Sequence, residues 1–185
     1  MRVLRSLLTI AILVAPLLPG SAPAQTESTP IPAVVKPNFS SMDFLVGTWA
    51  CSTKSSRRPG PYQTISTYAL DPSGYWMNET STTKPTAWVS TQLTVTDKIT
   101  YDPDSKRWVD VLSGDQGAYG LSFSKGWAGN HMTWHDVSFA PGPNIHSQTD
   151  MVATKVSNTK VTSSSTFTET KTGRKVTVAA ICTKE

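Results

Sequence analysis

From Met42 to the end of the chain, apolar and polar positions alternate in short runs, and no stretch keeps a helical spacing for more than a turn or two. The runs are rich in Thr, Ser, Val, Tyr and Trp, residue types that suit a pleated, half-buried surface. They predict strands near 47–54, 62–70, 74–82, 91–102, 106–113, 118–125, 129–139, 147–156, 159–169 and 173–183. The breaks between them carry turn chemistry. "DPSG" at 71–74 and "DPDS" at 102–105 place proline second in a type I turn, where its fixed φ is already correct. "APGPN" at 140–144 reads as a loop, and "SN" at 157–158 and "KTG" at 171–173 as tight connections. "SMDFL" at 41–45 predicts a single helical turn with Ser41 as its N-cap.

Strands joined by hairpin-length links predict an all-β, up-and-down antiparallel meander of about ten strands. Left open, such a sheet has two exposed edges, and closure into a single barrel removes them. The cysteines bear on closure independently. Cys51 falls on the first predicted strand and Cys182 on the last, and in a closed meander these strands are neighbours. One disulfide across the seam is predicted, closing a loop worth about 4–5 kcal/mol in chain-entropy terms. The alternative is a pair of buried free thiols, while the absence of a Cys-x-x-Cys spacing argues against metal ligation. Strand parity puts Trp49 and Cys51 on one face, and Gly47 lets the chain turn from the helical segment into the strand. Trp49 is therefore expected to plug one barrel end, a structural role.

The N-terminus reads differently. Arg2 and Arg5 precede an apolar run from Leu7 to Leu18, and Ala22-Pro23-Ala24 offers a small-x-small cleavage site. Residues 1–24 are expected to be a signal peptide, and the run is short of the roughly 20 residues a membrane span needs. The mature chain is thus expected to be secreted or periplasmic, an oxidising setting that suits the predicted disulfide, with no stable membrane insertion. Residues 25–41, with Pro30, Pro32 and Pro37, read as a proline-rich linker or arm, and residues 42–185 as the barrel domain. Losing Arg2 and Arg5 leaves fifteen basic against thirteen acidic residues, too slight an excess to imply a nucleic-acid partner.

The phrase "DFLVGTW" at 43–49 resembles the calycin superfamily, whose lipocalins carry a Gly-x-Trp motif on the first strand. More closely it resembles exported bacterial lipocalin-like families of unassigned function. "YALDPSGYWMNET" at 68–80 is similar to their second hairpin, and "ITYDPDSKRWVDVLSGDQGAYGLSFSKGWAGNHMTW" at 99–134 to their central meander. The resemblance covers roughly residues 42 to 183 and implies a lipocalin-like barrel. Nitrobindin-like haem barrels share the opening more distantly, but "ACSTKS" at 50–55 departs from their glycine-rich strand. They ligate haem through a histidine on a late strand, a position that only His146 approaches. No cofactor is therefore expected, with haem as the alternative.

Catalytic signals are few. His131 and His135 have a spacing that joins ligands on a helix, but on a strand their Cα atoms stand about 13 Å apart. They are expected on the solvent or rim side, with Met132 and Trp134 in the core. No Gly-x-Ser-x-Gly elbow occurs, and Glu79, Asp110, Asp115 and Glu169 are scattered over different strands. "NFS" at 38–40 and "NET" at 78–80 match glycosylation sequons, which arise readily by chance in so Ser- and Thr-rich a chain.

Aromatic residues are plentiful, and a barrel mouth grips a small apolar ligand with such walls. Trp76, Tyr101, Trp108, Tyr119, Trp134 and His135 are the candidate ligand-binding residues; Gly47, Trp49, Cys51 and Cys182 are structural. On strand 106–113, Trp108, Asp110 and Leu112 share one face, and Arg107, Val109 and Val111 the other. The cost of burying Asp110 favours Val109 and Val111 pointing inward. The function these features imply is binding or sequestering a small, mostly apolar molecule. An enzyme using the interior, a hydrolase or isomerase, is weakened by the lack of a catalytic constellation, and a solidly packed barrel acting as a protein-interaction module is the third reading.

Overall fold

The computed structural model describes residues 34–185 except 89, 143, 144 and 148, and the backbone alone at 139, 141, 142 and 145–147. The expected signal peptide and the start of the arm lie outside the described residues. Two 3-10 turns, Phe39–Ser41 and Asp43–Leu45, lead into β1 (Gly47–Ser55), β2 (Tyr62–Leu70), β3 (Met77–Thr83), β4 (Leu93–Asp102), β5 (Arg107–Gly114) and β6 (Tyr119–Ser124). There follow β7 (Trp127–Ala128), β8 (His131–Gly142), β9 (Ile145–Ser147), β10 (Asp150–Ser157), β11 (Lys160–Thr168) and β12 (Lys175–Lys184).

All pairings are antiparallel, and the sheet closes on itself. Each of β1 to β5 pairs with the next, β6 pairs with β8, β8 with β10, and β10 through β11 and β12 back to β1. The result is a ten-strand ring with β7 and β9 as short additions on β8. These ten strands are the ones the alternation predicts; β7 and β9 are too short to leave a periodic signal. The turns form as their chemistry requires. At "DPSG" the Gly74 amide donates to the Asp71 carbonyl at 2.8 Å and the Ser73 amide to the Asp71 carboxylate at 2.8 Å. At "DPDS" the Asp102 carboxylate accepts from the Asp104 amide at 3.0 Å and from the Ser105 hydroxyl.

Cys51 lies directly opposite Cys182 in the β1–β12 register, and the two form a disulfide with Cα atoms 4.0 Å apart. The bond therefore joins strands that are remote in sequence and adjacent in the ring. Gly47 begins β1 at φ +123°, and a Cβ there would come within 2.9 Å of Lys184 Cε. Two steps later Trp49 is 1% exposed, its indole donating to the Leu45 carbonyl at 2.7 Å.

The same end of the barrel holds the core: Phe39, Met42, Met77, Ile99, Trp108, Met132 and Trp134. Phe39 packs against Trp108 at 5.3 Å between ring centroids, so the end of the expected arm is part of the packed unit, which starts by Val34. A buried phenylalanine, worth about 1.5–3 kcal/mol, draws this segment down. The capping also differs from expectation. Asn38 caps the first 3-10 turn by accepting from the Ser40 amide at 3.0 Å, while Ser41 lies inside that turn.

Replacing both cysteines by alanine should lower the unfolding free energy by about 4–5 kcal/mol. Urea unfolding should show a lower midpoint and a steeper slope, because the unlinked chain exposes more surface. An unchanged midpoint would mean that the ladder alone holds the seam.

Candidate functional site

Inward-facing positions meet in rows set by register. Tyr68 on β2 lies opposite Glu79 on β3, and Glu79 opposite Asp97 on β4. Asp110 on β5 pairs with Ile99, one inward step along from Asp97, and the row continues through Ser122 on β6 to Asp136 on β8. Direct neighbours in such rows stand about 5 Å apart at Cβ. Closure thus gathers carboxyls from successive strands onto one stretch of wall.

Glu79, Asp97 and Asp110 face a cavity of about 340 Å³ inside the barrel. Its closed end is apolar, formed by Met42, Leu45, Trp49, Trp127, Met132 and Trp134, and the Cys51–Cys182 bridge, Ala153 and Ala180 also line it. Glu79, Asp97, Asp110 and Tyr68 are its ionisable wall together with Tyr62, and among the described residues no Lys, Arg or His lines it. Glu79 is well supplied with donors: the Ser81 hydroxyl at 2.6 Å and the Tyr68 hydroxyl. Ser81 in turn meets the Ser66 hydroxyl at 2.6 Å. Asp97 and Asp110 have no such support, and Asp110 Oδ1 is sealed from solvent without a partner.

The electrostatics follow. Burial first, then the negative charge of Glu79 and Asp110, pushes the Asp97 carboxyl up to about 9. Burial first, then Glu79 and Asp136, pushes Asp110 up to about 7. Tyr68 is held well above its ordinary value by burial and then Glu79. Asp136 is also raised, by burial, although the Ser122 hydroxyl donates to it at 3.1 Å and opposes the shift. In each case burial is the largest cause, and among the described lining residues no cation offsets it.

The opposite end is a mouth with a second cavity of about 330 Å³, bordered by Arg57, Arg58, Lys84, Trp88, Leu93 and Phe167. Tyr62 and Thr83 belong to both cavities and form the neck between them. Trp88 lies over Gly60, whose position would allow a Cβ only 3.1 Å from the indole. Arg57 is held by Glu169 at 2.9 Å, and Glu169 also takes Arg174 at 3.0 Å. Glu169 is kept below the ordinary carboxylate range by the Thr172 hydroxyl and these two guanidinium groups.

Of the six candidate ligand-binding residues, Trp134 lines the inner cavity. Trp108 and Tyr101 are packed together at the closed end, 5.3 Å between centroids. Trp76 is half-buried in the β2–β3 connection, outside the cavity wall. Tyr119 is exposed on β6. His135 is exposed on the outer face, 2.7 Å from Asp150, and His131 also faces outward, bonded to Thr154 at 2.9 Å. Met132 and Trp134 occupy the core face, as parity predicts.

The facing of β5 is a correction. Trp108 is buried and Asp110 lines the cavity, whereas Val111 is 44% exposed. As a lone charge Asp110 would be too costly to bury. In the fold it sits beside other acids and sheds the cost by taking up a proton. Asp97 and Tyr68, absent from the expected site, are central to it.

Among the described residues no histidine lines the inner cavity, and His131 and His135 face outward. The side chain of His146 is outside the described residues.

Fold and interior together define a closed ten-strand antiparallel barrel with an internal cavity. A crystal structure of Rv2717c from M. tuberculosis shares this fold at a TM-score of 0.60 and 15% identity, over 80% of this chain and 96% of that one. No protein-family model matches the chain, and no curated protein does.

The raised carboxyls make a signed prediction. An acid whose folded value exceeds its unfolded one stabilises the fold fully below the unfolded value, near 4, and loses that contribution as pH rises. Stability should therefore decline from about pH 4 to about pH 9, because the unfolded chain gives up these protons near 4 while the fold holds them until about 7 at Asp110 and about 9 at Asp97. Asp97→Asn should flatten this decline and be more stable than wild type at pH 9, read by urea midpoints at matched pH. Equal pH profiles for the two proteins would show that Asp97 is solvated and ionised.

Proposed function

We propose that this chain is an exported, lipocalin-like binding protein that takes a small, largely apolar molecule into its barrel interior. The observation that carries the reading is the inner cavity of about 340 Å³, whose size falls within the roughly 300–1,000 Å³ usual for ligand sites. A barrel packed solid, as a pure interaction module would be, leaves no such space. The ligand would enter past Trp88 and through the neck at Tyr62 and Thr83, since the other end is stopped by Trp49 and the 3-10 turns. Export is supported by the N-terminal pattern and by the Cys51–Cys182 disulfide, which persists in oxidising compartments.

One observation favours a second reading. A carboxyl that keeps its proton near neutrality, beside a buried tyrosine, is equipment for acid–base catalysis. An enzyme would release its small molecule chemically changed, whereas a binding protein returns it intact.

Filling the cavity tests the leading reading. Ala180 lines the inner cavity on β12, so Ala180→Phe should occupy the space that a ligand needs without disturbing the outer faces. Wild type titrated with an environment-sensitive apolar dye should bind with a change in tryptophan emission. The variant should unfold cooperatively at a similar temperature and lose binding by about ten-fold or more. Undiminished dye binding by the folded variant would place the ligand elsewhere.

A further inference from the structure

The inner wall has a chemical bias that an apolar pocket does not need. Glu79, Asp97 and Asp110 come from three successive strands and share one stretch of it. Asp97 is 8% exposed and lines the cavity, and among the described residues it has no hydrogen-bond partner. Asp110 Oδ1 is sealed and equally unpartnered. A buried carboxyl left without a donor costs about 1–3 kcal/mol or more, and a cluster of them is stable only if something neutralises it.

Every charged or titratable group that faces Asp97 deepens the deficit. β3 supplies Glu79, β5 supplies Asp110, and β2 supplies Tyr68, whose hydroxyl is already given to Glu79. Beyond Asp110 the next group is another acid, Asp136. The cations at the closed end are engaged elsewhere: Lys184 Nζ donates to the Phe44 carbonyl at 2.9 Å, and Lys155 Nζ sits 4.0 Å over the Phe44 ring. At the mouth, Arg57 is committed to Glu169. The rest of the chamber, with Trp127, Trp134 and the methionines, offers apolar and aromatic surface, and an ammonium is well received beside an indole face.

We propose that the barrel's ligand is a small organic cation, a primary or secondary amine on an apolar body, with its ammonium placed against Glu79, Asp97 and Asp110. This rests on the reading of the interior as a ligand pocket and adds the chemistry of the head group. The ammonium supplies the missing counter-ion, and its N–H groups reach acceptors that the protein leaves without donors. Uptake of the cation displaces a proton from the carboxyl pair, since Asp97, raised to about 9, holds its proton near neutrality and Asp110, raised to about 7, holds one about half of the time. Affinity for the amine therefore rises with pH through the neutral range, by linkage. A neutral carbonyl ligand would show the opposite trend, because it needs the protonated acid as donor.

Three chain-matched probes, n-octylamine, n-octanol and octanoate, separate the possibilities by calorimetry on the full disulfide-bonded protein. At pH 8 the amine should bind at least about ten-fold tighter than the other two and tighten several-fold from pH 6 to pH 8. Heats in buffers of different ionisation enthalpy should reveal proton release. Asp97→Asn should lose the preference for the amine while keeping octanol binding, with Glu79→Gln as the second variant should the first fail to fold. Octanol binding as tightly as octylamine, or amine affinity falling as pH rises, would overturn the cation inference and leave the pocket reading intact. Failure of all three probes to bind wild type, or equal binding by Ala180→Phe, would overturn both.

Discussion

The pairing of Trp49–Ser55 with Val178–Lys184 turns a ribbon of ten strands into a ring, with β8 joining β6 on one side and β10 on the other. Almost everything else in the molecule depends on that closure. Eight strands make an interior that side chains can just fill, and each further strand widens it. With ten strands the space exceeds what these residues can occupy, and one row across β10 to β12, Ala153, Ser163 and Ala180, presents nothing larger than alanine and serine to it. The aromatic mass is instead concentrated at one end, where Phe39, Trp49, Trp108 and Trp134 stop the barrel. A cavity open at the far end is the geometric remainder.

Closure also decides the electrostatics. A strand alternates its side chains, so the ring forces every second residue inward whatever its polarity. Parity anchored by Met77, Ile99 and Trp108 turns Glu79, Asp97 and Asp110 toward the lumen together. In water three scattered acids would repel weakly. Within a low-dielectric wall, without a lysine or arginine among the described lining residues, they interact strongly, and burial beside Glu79 raises both Asp97 and Asp110. The mouth is the reverse, with Arg57, Arg58 and Lys84, though Glu169 cancels part of that charge by gripping Arg57 and Arg174.

This sequence of causes also explains what could be read without coordinates. Strand positions and turns were legible because each depends on a local signal, an alternation or an Asp-Pro pair. The seam was legible because two cysteines marked first and last strands. The facing of β5 was not, since Trp108 with Leu112 and Val109 with Val111 are both plausible apolar faces. Only register, which is non-local, shows that Asp110 has acidic neighbours to share a proton with. Aromatic content misdirected the site for a related reason. Trp108 and Tyr101 were needed to stop one end, and Tyr119 and His135 fell on the outer parity. A usable signal was present: in "MNE", "DKI" and "WVD", an acid lies two positions from a large apolar residue on three successive strands.

The acidic wall is best understood as a stability cost kept for a purpose. Each of these carboxyls would be cheaper as an amide or an aliphatic residue in the same place, since a buried polar group without a partner weakens the fold. The surrounding structure shows that the fold can satisfy a buried acid when it needs only stability. Glu169 receives Thr172, Arg57 and Arg174, and Asp136 receives Ser122. Asp97 and Asp110 receive nothing comparable, although Ser66, Ser81 and Tyr68 stand nearby and are spent on one another and on Glu79. Unmet acceptors facing an enclosed space support the binding role proposed above, since binding sites commonly trade stability for poised groups. The contrast between Asp97, raised inside the chamber, and Glu169, lowered in the β11–β12 connection where donors surround it, places the unmet acids in the chamber.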